Sequence, residues 1–485
     1  MTTATVVGSG PNGLAAAVTL AQHGVEVTVL EAADRIGGGT RSSELTLPGL
    51  VHDDCSAFHP TGVASPFLRS LGLEEHGLRW RWPEIQLAHP LDGGRAALLY
   101  RDVDRTADGL GADGPAWRRL FGPLARRFDV LAEEVFQPVL HVPRHPLTFA
   151  RFGVAALLPA TLLARAWRDD PARALFGGVA AHLVGSLSAP LSSSVGVMLT
   201  AAAHAHGWPV AEGGSQAIAD ALASKLRALG GRIETGIEVT DLDDCRGADL
   251  TVLSLSPLAV AGVLGDRLPP RTRRAYRRYR YGPGAFKLDL AVEGGVPWAV
   301  PEVARAGTVH LAGSFEELVH AERTTVRGRL AGRPYVLLGQ QAAADPSRAV
   351  GDLQPVWAYA HVPNGFDGDA TEAILGQVER FAPGFRARIR ACHVRSTTQM
   401  ATHNANYVGG DINVGRNTPL QLVARPRWTL RPYRAGVEDV FLCGSATPPG
   451  AGVHGMSGHN AALDALGRST VLGRGWSRRG GHDEP

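Results

Sequence analysis

The stretch Ala4-Thr-Val-Val-Gly8-Ser9-Gly10-Pro-Asn-Gly13-Leu14-Ala-Ala-Ala17, followed by Val25-Glu-Val-Thr-Val-Leu-Glu31 and Arg35-Ile-Gly37-Gly38-Gly39-Thr40, decides the fold. Thr5, Val6 and Val7 form a short apolar run ending at a glycine, as a buried parallel strand does. Gly8 permits a tight turn and Gly10 lets the backbone approach a pyrophosphate. Gly13 lets the following helix, predicted over Asn12 to His23, pack closely on the sheet. That helix points its amides and dipole at the phosphates. Gly24 ends it, Val25 to Leu30 make a second strand, and Glu31 stands where a carboxylate accepts hydrogen bonds from a ribose diol. Strand, glycine turn, helix, strand and terminal acid in this order predict a dinucleotide site. A second Gly-x-Gly-x-x-Gly, at Gly109, Gly111 and Gly114, follows Arg101-Asp-Val-Asp-Arg-Thr-Ala-Asp108, which is no strand, and reads as a polar turn. One dinucleotide site is expected, with no separate nicotinamide domain.

The chain of 485 residues is long enough for two or three domains, and its 44% hydrophobic content is ordinary for a globular protein. Its 49 basic and 46 acidic residues leave a net charge of +3 with the signs interspersed, which argues against a nucleic-acid binder. The arginine-rich stretch Arg271–Arg280 reads as a solvated helix face. Cys55, Cys245, Cys392 and Cys443 are widely separated, so neither a metal site nor a disulfide framework is expected. No apolar run has transmembrane length, and the first strand begins too close to Met1 for a signal peptide. The expected location is the cytoplasm. The apolar segment Val154–Trp167 reads as ordinary helix packing, while its flanking arginines also allow a cavity lid or a peripheral membrane contact. Only Lys225 and Lys287 of the 49 basic residues are lysines. A lysine that persists in such a chain is enriched for sites needing a compact amine.

The fold class expected is α/β: a discontinuous Rossmann-like dinucleotide-binding domain, an α+β substrate domain and a helical lid region. The first comprises residues 1–100, 206–265 and 432–472, including the buried-strand patterns Ala248–Ser254 and Glu438–Gly444. Residues 101–205 are helical, 266–431 alternate strands with helices such as Thr371 to Phe381, and 473–485 form a polar, disordered tail.

The residues after Glu31 discriminate between dinucleotides. Glu31-Ala-Ala-Asp-Arg35-Ile-Gly37-Gly38-Gly39-Thr40 resembles the second motif of the FAD-dependent amine oxidase and phytoene desaturase superfamily. Gly444-Ser445-Ala-Thr-Pro-Pro-Gly-Ala-Gly-Val-His454-Gly455-Met456 resembles its closing motif, and Gly213-Gly214 with Val239 its middle segment. Within the superfamily, Gly-Gly-Gly-Thr followed by His52-Asp-Asp-Cys-Ser-Ala-Phe-His59-Pro60 is most similar to phytoene dehydrogenase-related proteins, akin to the pyridine nucleotide-disulphide oxidoreductase domain-containing type. The resemblance implies FAD as cofactor. Its binding residues would be Gly8, Ser9, Gly10, Gly13, Leu14, Glu31, Arg35, Gly38, Gly39, Thr40, Val239, Gly444, Ser445, Gly455 and Met456. Two departures stand out: Gly39 occupies a position where many members carry a flavin-facing arginine, and Ser445 one where an acid is common.

Tyr281–Val292 resembles the strand on which amine oxidases place a lysine beside flavin N5, which makes Lys287 a candidate for holding a water there; an end-of-strand surface charge is the other reading. His454 lies in the closing loop, as base or as a loop histidine bonded to backbone, and His59 would line the substrate cavity or simply be packed. His204 and His206 read as interior histidines, and Asp411 as a candidate acid near the cavity or, more simply, a turn residue. The expected activity is removal of hydride from a largely apolar, polyene-like substrate, with O2 or a quinone as electron acceptor. Amine oxidation and flavin-dependent isomerisation are the alternatives.

Overall fold

The computed structural model describes residues 2–468; the tail expected to be disordered lies outside them. Two sheets organise the chain. The first has five parallel strands in the order Val440–Leu442, Leu250–Leu253, Thr3–Val7, Glu26–Glu31, Arg232–Thr235. Its central strands are the continuous apolar runs of the sequence, as a sheet covered on both faces requires. The fingerprint helix spans Pro11–Gln22, with Pro11 at its first turn, where a missing N–H costs nothing.

The helix Met456–Ala465 closes the sheet against the fingerprint helix at van der Waals distance. Gly458 faces the Asn12 carbonyl, and a Cβ there would overlap that oxygen and stand 2.8 Å from the Ala16 nitrogen. Gly13 faces the Gly8 carbonyl in the same way. Backbone against backbone is the only packing that fits.

The second sheet has seven strands in the order Ile389–Arg395, Gly284–Glu293, Leu353–Val362, Val336–Gln340, Ala306–Leu311, Ile85–Leu91, Arg95–Leu99. This corrects the boundary at residue 100: Ile85–Leu91 and Arg95–Leu99 belong to the substrate half. The hairpin's apolar strand pairs in parallel with Ala306–Leu311, through Ala306 opposite Ile85 and Val309 opposite Ala88. All seven residues of Ile85–Leu91 are buried there.

Residues 101–205 form helices, among them Val103–Gly109, Gly114–Arg126, Asp170–Ala180 and Ser193–His206, around an aromatic cluster of Trp117, Phe121, Trp167 and Phe176. The second glycine motif is the tight connection between two of these helices, Gly114 abutting the Ala107 carbonyl. Helix Asp170–Ala180 packs through glycines: Gly177 meets Phe315, at the start of helix Phe315–Val326, and Gly178 meets the His310 ring of the second sheet. The arginine-rich stretch forms the helix Pro270–Arg277 with Arg271, Arg274 and Arg277 exposed.

The Gly458 contact sets a stability test. Gly458→Ala should lower the unfolding free energy by about 1–3 kcal/mol, the cost of overpacking a closed interface. Urea denaturation measures this, and an unchanged midpoint would refute the close approach.

Candidate cofactor and substrate cavity

A cavity of about 730 Å³ opens at the carboxyl ends of the parallel strands. Gly8 follows the strand Thr3–Val7, Glu31 ends Glu26–Glu31, Ser254 follows Leu250–Leu253 and Gly444 follows Val440–Leu442; all four line it. Ligands of open α/β sheets bind at this edge. Gly10, Pro11 and Asn12 bring the N-terminus of the fingerprint helix to the wall, and its N-cap, Gly10, offers no capping side chain to its free amides. Gly38 lies against Gly10, where a Cβ would come within 3.0 Å of the Gly10 Cα. An uncapped helix N-terminus in a glycine-lined cradle, without an acid in its first turn, suits a diphosphate.

Of the residues expected to hold the cofactor, Gly8, Gly10, Glu31, Gly38, Gly39, Thr40, Val239, Gly444 and Ser445 line the cavity. Ser9, Gly13, Leu14, Gly455 and Met456 lie behind this wall, where Ser9 donates its amide (2.8 Å) and hydroxyl (2.6 Å) to Glu31. Arg35 is turned away, its guanidinium donating to the Ser42 carbonyl at 2.8 Å. Arg41, missed in the sequence, lines the cavity instead and pairs with Glu31 at 3.2 Å. Its place directly after the glycine motif was the available signal. Gly39 does not leave a gap: a Cβ there would overlap the Tyr407 hydroxyl, so a tyrosine from a distant segment occupies the space. The neighbouring stretch Thr402–Tyr407 also lines the cavity and carries no recognisable motif.

None of the three candidate catalytic side chains lines the cavity. Lys287 does not line the cavity, and it does not stand at a strand end on the surface. It is 1% exposed, ion-paired with Asp289 and donates to the Asp53 carbonyl at 3.0 Å. Burial would raise the Asp289 carboxyl, but Lys287, His393 and His52 outweigh it and hold the group below the ordinary carboxylate range. His59 meets the Ser215 hydroxyl at 2.8 Å. That hydroxyl already donates to the Ser56 carbonyl, so His59 Nε2–H is the donor and the ring is a packed, neutral imidazole, lowered by burial to about 4. His454 Nδ1 accepts from the Met456 amide at 3.0 Å and pins its own loop, with burial lowering it to about 4. Asp411 caps a turn through the amides of Gly282, Asn413 and Gly415. His204 accepts from Trp117 Nε1 inside the helical region, and His206 pairs with Asp129.

Away from the glycine cradle the cavity becomes apolar. One wall is the second sheet, where Thr308, Leu337, Trp357 and Tyr359 face inward. Cross-strand register places Thr308, Gly339 and Trp357 in one row and His310, Leu337 and Tyr359 in the next. Gly339 carries no side chain because the Trp357 indole lies over it. The opposite wall comes from the helical region, through His182, Val195, Met198, Leu199 and Trp208. Trp357 and Tyr359 stack on each other along one strand, centroids 5.4 Å apart.

A glycine-cradled edge joined to an apolar chamber suits a dinucleotide beside an apolar ligand. Residues 6–71 match the model of an NAD(P)-binding Rossmann-like domain. The chain is 24% identical to the pyridine nucleotide-disulfide oxidoreductase domain-containing protein 2 of Rattus norvegicus over 95% of this chain and 92% of that protein. It is 30% identical to a hydroxyneurosporene desaturase of Cereibacter sphaeroides over 56% of this chain and 61% of that one. A putrescine oxidase structure shares the fold, with a TM-score of 0.60 and 19% identity over 96% of this chain and 99% of that one. The chain is thus similar over nearly its whole length to a pyridine nucleotide-disulfide oxidoreductase domain-containing protein and to a phytoene desaturase of Rhodobacter capsulatus, and it shares its fold with a putrescine oxidase.

Because Lys287 serves Asp289, its removal should be read in stability. Lys287→Met leaves a buried carboxylate without its main counter-charge and should cost about 3–5 kcal/mol. The double change Lys287→Met with Asp289→Leu should recover most of that loss. Thermal unfolding of the three proteins decides it: a single variant as stable as the parent contradicts a structural role.

Proposed function

We propose that the chain binds FAD along the glycine cradle and removes hydride from a largely apolar substrate held in the chamber beyond it. The single observation that carries this is one cavity running from Gly8, Gly10 and Glu31 to Trp357, Leu337, Met198 and Leu199. Bound FAD would supply a hydride acceptor at its N5. The protein's part is to hold and orient. The helix N-terminus at Gly10 would take the pyrophosphate, Glu31 with Arg41 the ribose, and the Val239 backbone the adenine. The apolar walls would orient a C–H and exclude water. With Lys287, His59 and His454 engaged elsewhere, none is assigned a proton-transfer role. O2 or a quinone would reoxidise the cofactor. The apolar lining of the chamber, Leu337, Val195, Met198 and Leu199 among it, favours desaturation or dehydrogenation of an apolar substrate over amine oxidation. The desaturase names among the relatives also support that reading.

The protein should purify yellow with FAD. Anaerobic mixing with apolar polyenes should bleach the flavin band. Product without bleaching would make it an isomerase instead, and a colourless protein that takes up no FAD would sink the reading.

The apolar substrate would reach the cavity from a lipid surface. Among the described residues no single helix is long and apolar enough to cross a membrane. Ten of the fifteen exposed large apolar side chains among the described residues, however, fall in two segments: Val139, Leu140, Val142, Leu147, Val154, Leu157 and Leu162, and Leu420, Trp428 and Leu430. The segments adjoin through the 183–187 loop, where Asn417 Nδ2 donates to the Leu183 carbonyl and Thr161 N to that of Leu187. Exposed Arg144, Arg151, Arg165 and Arg168 complement anionic headgroups. The protein should sediment with phosphatidylglycerol vesicles, and Leu147→Asp with Val154→Asp should release it. Equal recovery of both proteins in the supernatant would exclude this surface.

A further inference from the structure

Four histidines lie together at the edge of the apolar chamber, His89, His310 and His361 buried and His182 half-buried, and the function proposed above uses none of them. His182 lines the cavity and meets His310 with Nε2 to Nε2 at 3.0 Å. The His310 ring lies 6.4 Å from His89 and 5.8 Å from Tyr335, which in turn is 5.3 Å from His361. Burial lowers His182 to about 3 and His310 well below the ordinary imidazole value, so both are neutral. The outer members are committed elsewhere: His89 Nε2 donates to the Gly313 carbonyl at 2.9 Å, and His361 Nδ1 holds Glu322 at 2.8 Å.

The proton positions in the His182–His310 pair follow from what surrounds it. His310 Nδ1 is buried without a partner and faces Gly178, where a Cβ would fall on that nitrogen. An orphaned N–H is costlier and rarer than an unmet lone pair. Nδ1 therefore bears the lone pair, and His310 donates from Nε2 to His182 Nε2. A neutral His182 must then carry its proton on Nδ1, which has no hydrogen-bond partner among the described residues and is not sealed off like its neighbours. On the sheet wall, Thr308, two residues before His310 and 1% exposed, has a hydroxyl with no partner and also lines the cavity. The turn that presents His182 is strained: Val184, β-branched, sits at φ 51°, ψ 60°.

We infer that this end of the chamber is a polar subsite for an oxygen atom carried by an otherwise apolar substrate, accepting from the Nδ1–H of His182 with the Thr308 hydroxyl as second partner. The substrate class is thereby narrowed to neutral ketones, enones, ethers or alcohols. An ammonium finds only a donor at His182, and the acid of this cluster, Glu322, holds His361 and does not line the cavity. The inference rests on the reading of the chamber as the substrate site.

The test uses the purified protein with octan-2-one, octane and octylamine as probes. Binding is read from flavin difference absorption and from the fluorescence of Trp208 and Trp357, both of which line the cavity. In His182→Leu the ratio of ketone to alkane affinity should fall about three- to tenfold, the worth of one neutral hydrogen bond. Octane affinity should be kept, and His182→Gln, which retains an N–H, should restore part of the ratio. Kept octane affinity also shows that the variant is folded. An unchanged ratio in His182→Leu overturns the subsite, as does an equal fall for octylamine or a parent protein that binds neither ketone nor alkane. A colourless protein that still shows the ratio change would remove the flavin reading and leave the oxygen subsite standing.

Discussion

The carboxylate of Asp53, fully buried, is where the two halves of the protein are tied together. One oxygen accepts from the Ser42 hydroxyl at 2.8 Å and the Ser215 amide at 2.7 Å, both on the nucleotide side. The other accepts from Arg348 at 3.1 Å, which reaches in from the second sheet's connections, and the Asp53 carbonyl takes the Lys287 ammonium. Burial alone would raise this carboxyl, yet Arg348 and the Ser215 and Ser42 donors hold it below the ordinary range. Such a group tolerates no loss of partner, because an uncompensated charge in a dry interior costs several kcal/mol. The cavity walls come from both halves, so its shape depends on this junction.

Around that tie the labour is divided by sheet. The parallel sheet supplies a backbone surface: glycines, helix amides and one acid at strand ends, all suited to a phosphate-rich ligand. The mixed sheet supplies side chains facing inward from two neighbouring rows. Tyr407 in the space over Gly39 and Arg41 beside Glu31 show the nucleotide side keeping its volume and charge with residues from other places.

The first sheet was legible because its signals are local. A strand, a glycine turn and a helix within about 30 residues can be read in order. The second sheet was only partly legible. Its antiparallel strands were visible as apolar runs, but Ile85–Leu91 pairs with a strand more than two hundred residues away, and nothing near residue 85 announces that partner. The same limit governed the site. Lys287 was singled out for its rarity and its strand, yet its role is set by Asp289 two residues on and by Asp53 from a distant hairpin. Alternation along one strand puts Lys287 and Asp289 on the same face, but does not say that the face is dry. The histidine cluster was illegible for a further reason. His89, His182, His310 and His361 are each solitary in the sequence; strand order in the second sheet brings three of them together, and the packing of helix Asp170–Ala180 on that sheet adds His182.

Gly339, over which the Trp357 indole lies, has a consequence for how this chain can diversify. The substrate wall is a two-row mosaic on a sheet whose other residues pack a separate core, while the cofactor edge is mostly main chain. Exchanging Leu337, Trp357 or Thr308 would redraw the chamber without disturbing any atom of the glycine cradle. A glycine in the middle of that mosaic is spare volume held in reserve: with a smaller residue at 357, position 339 becomes free to carry a side chain. The architecture therefore separates a nucleotide face built mostly of main chain from a wall whose selectivity can be altered one residue at a time.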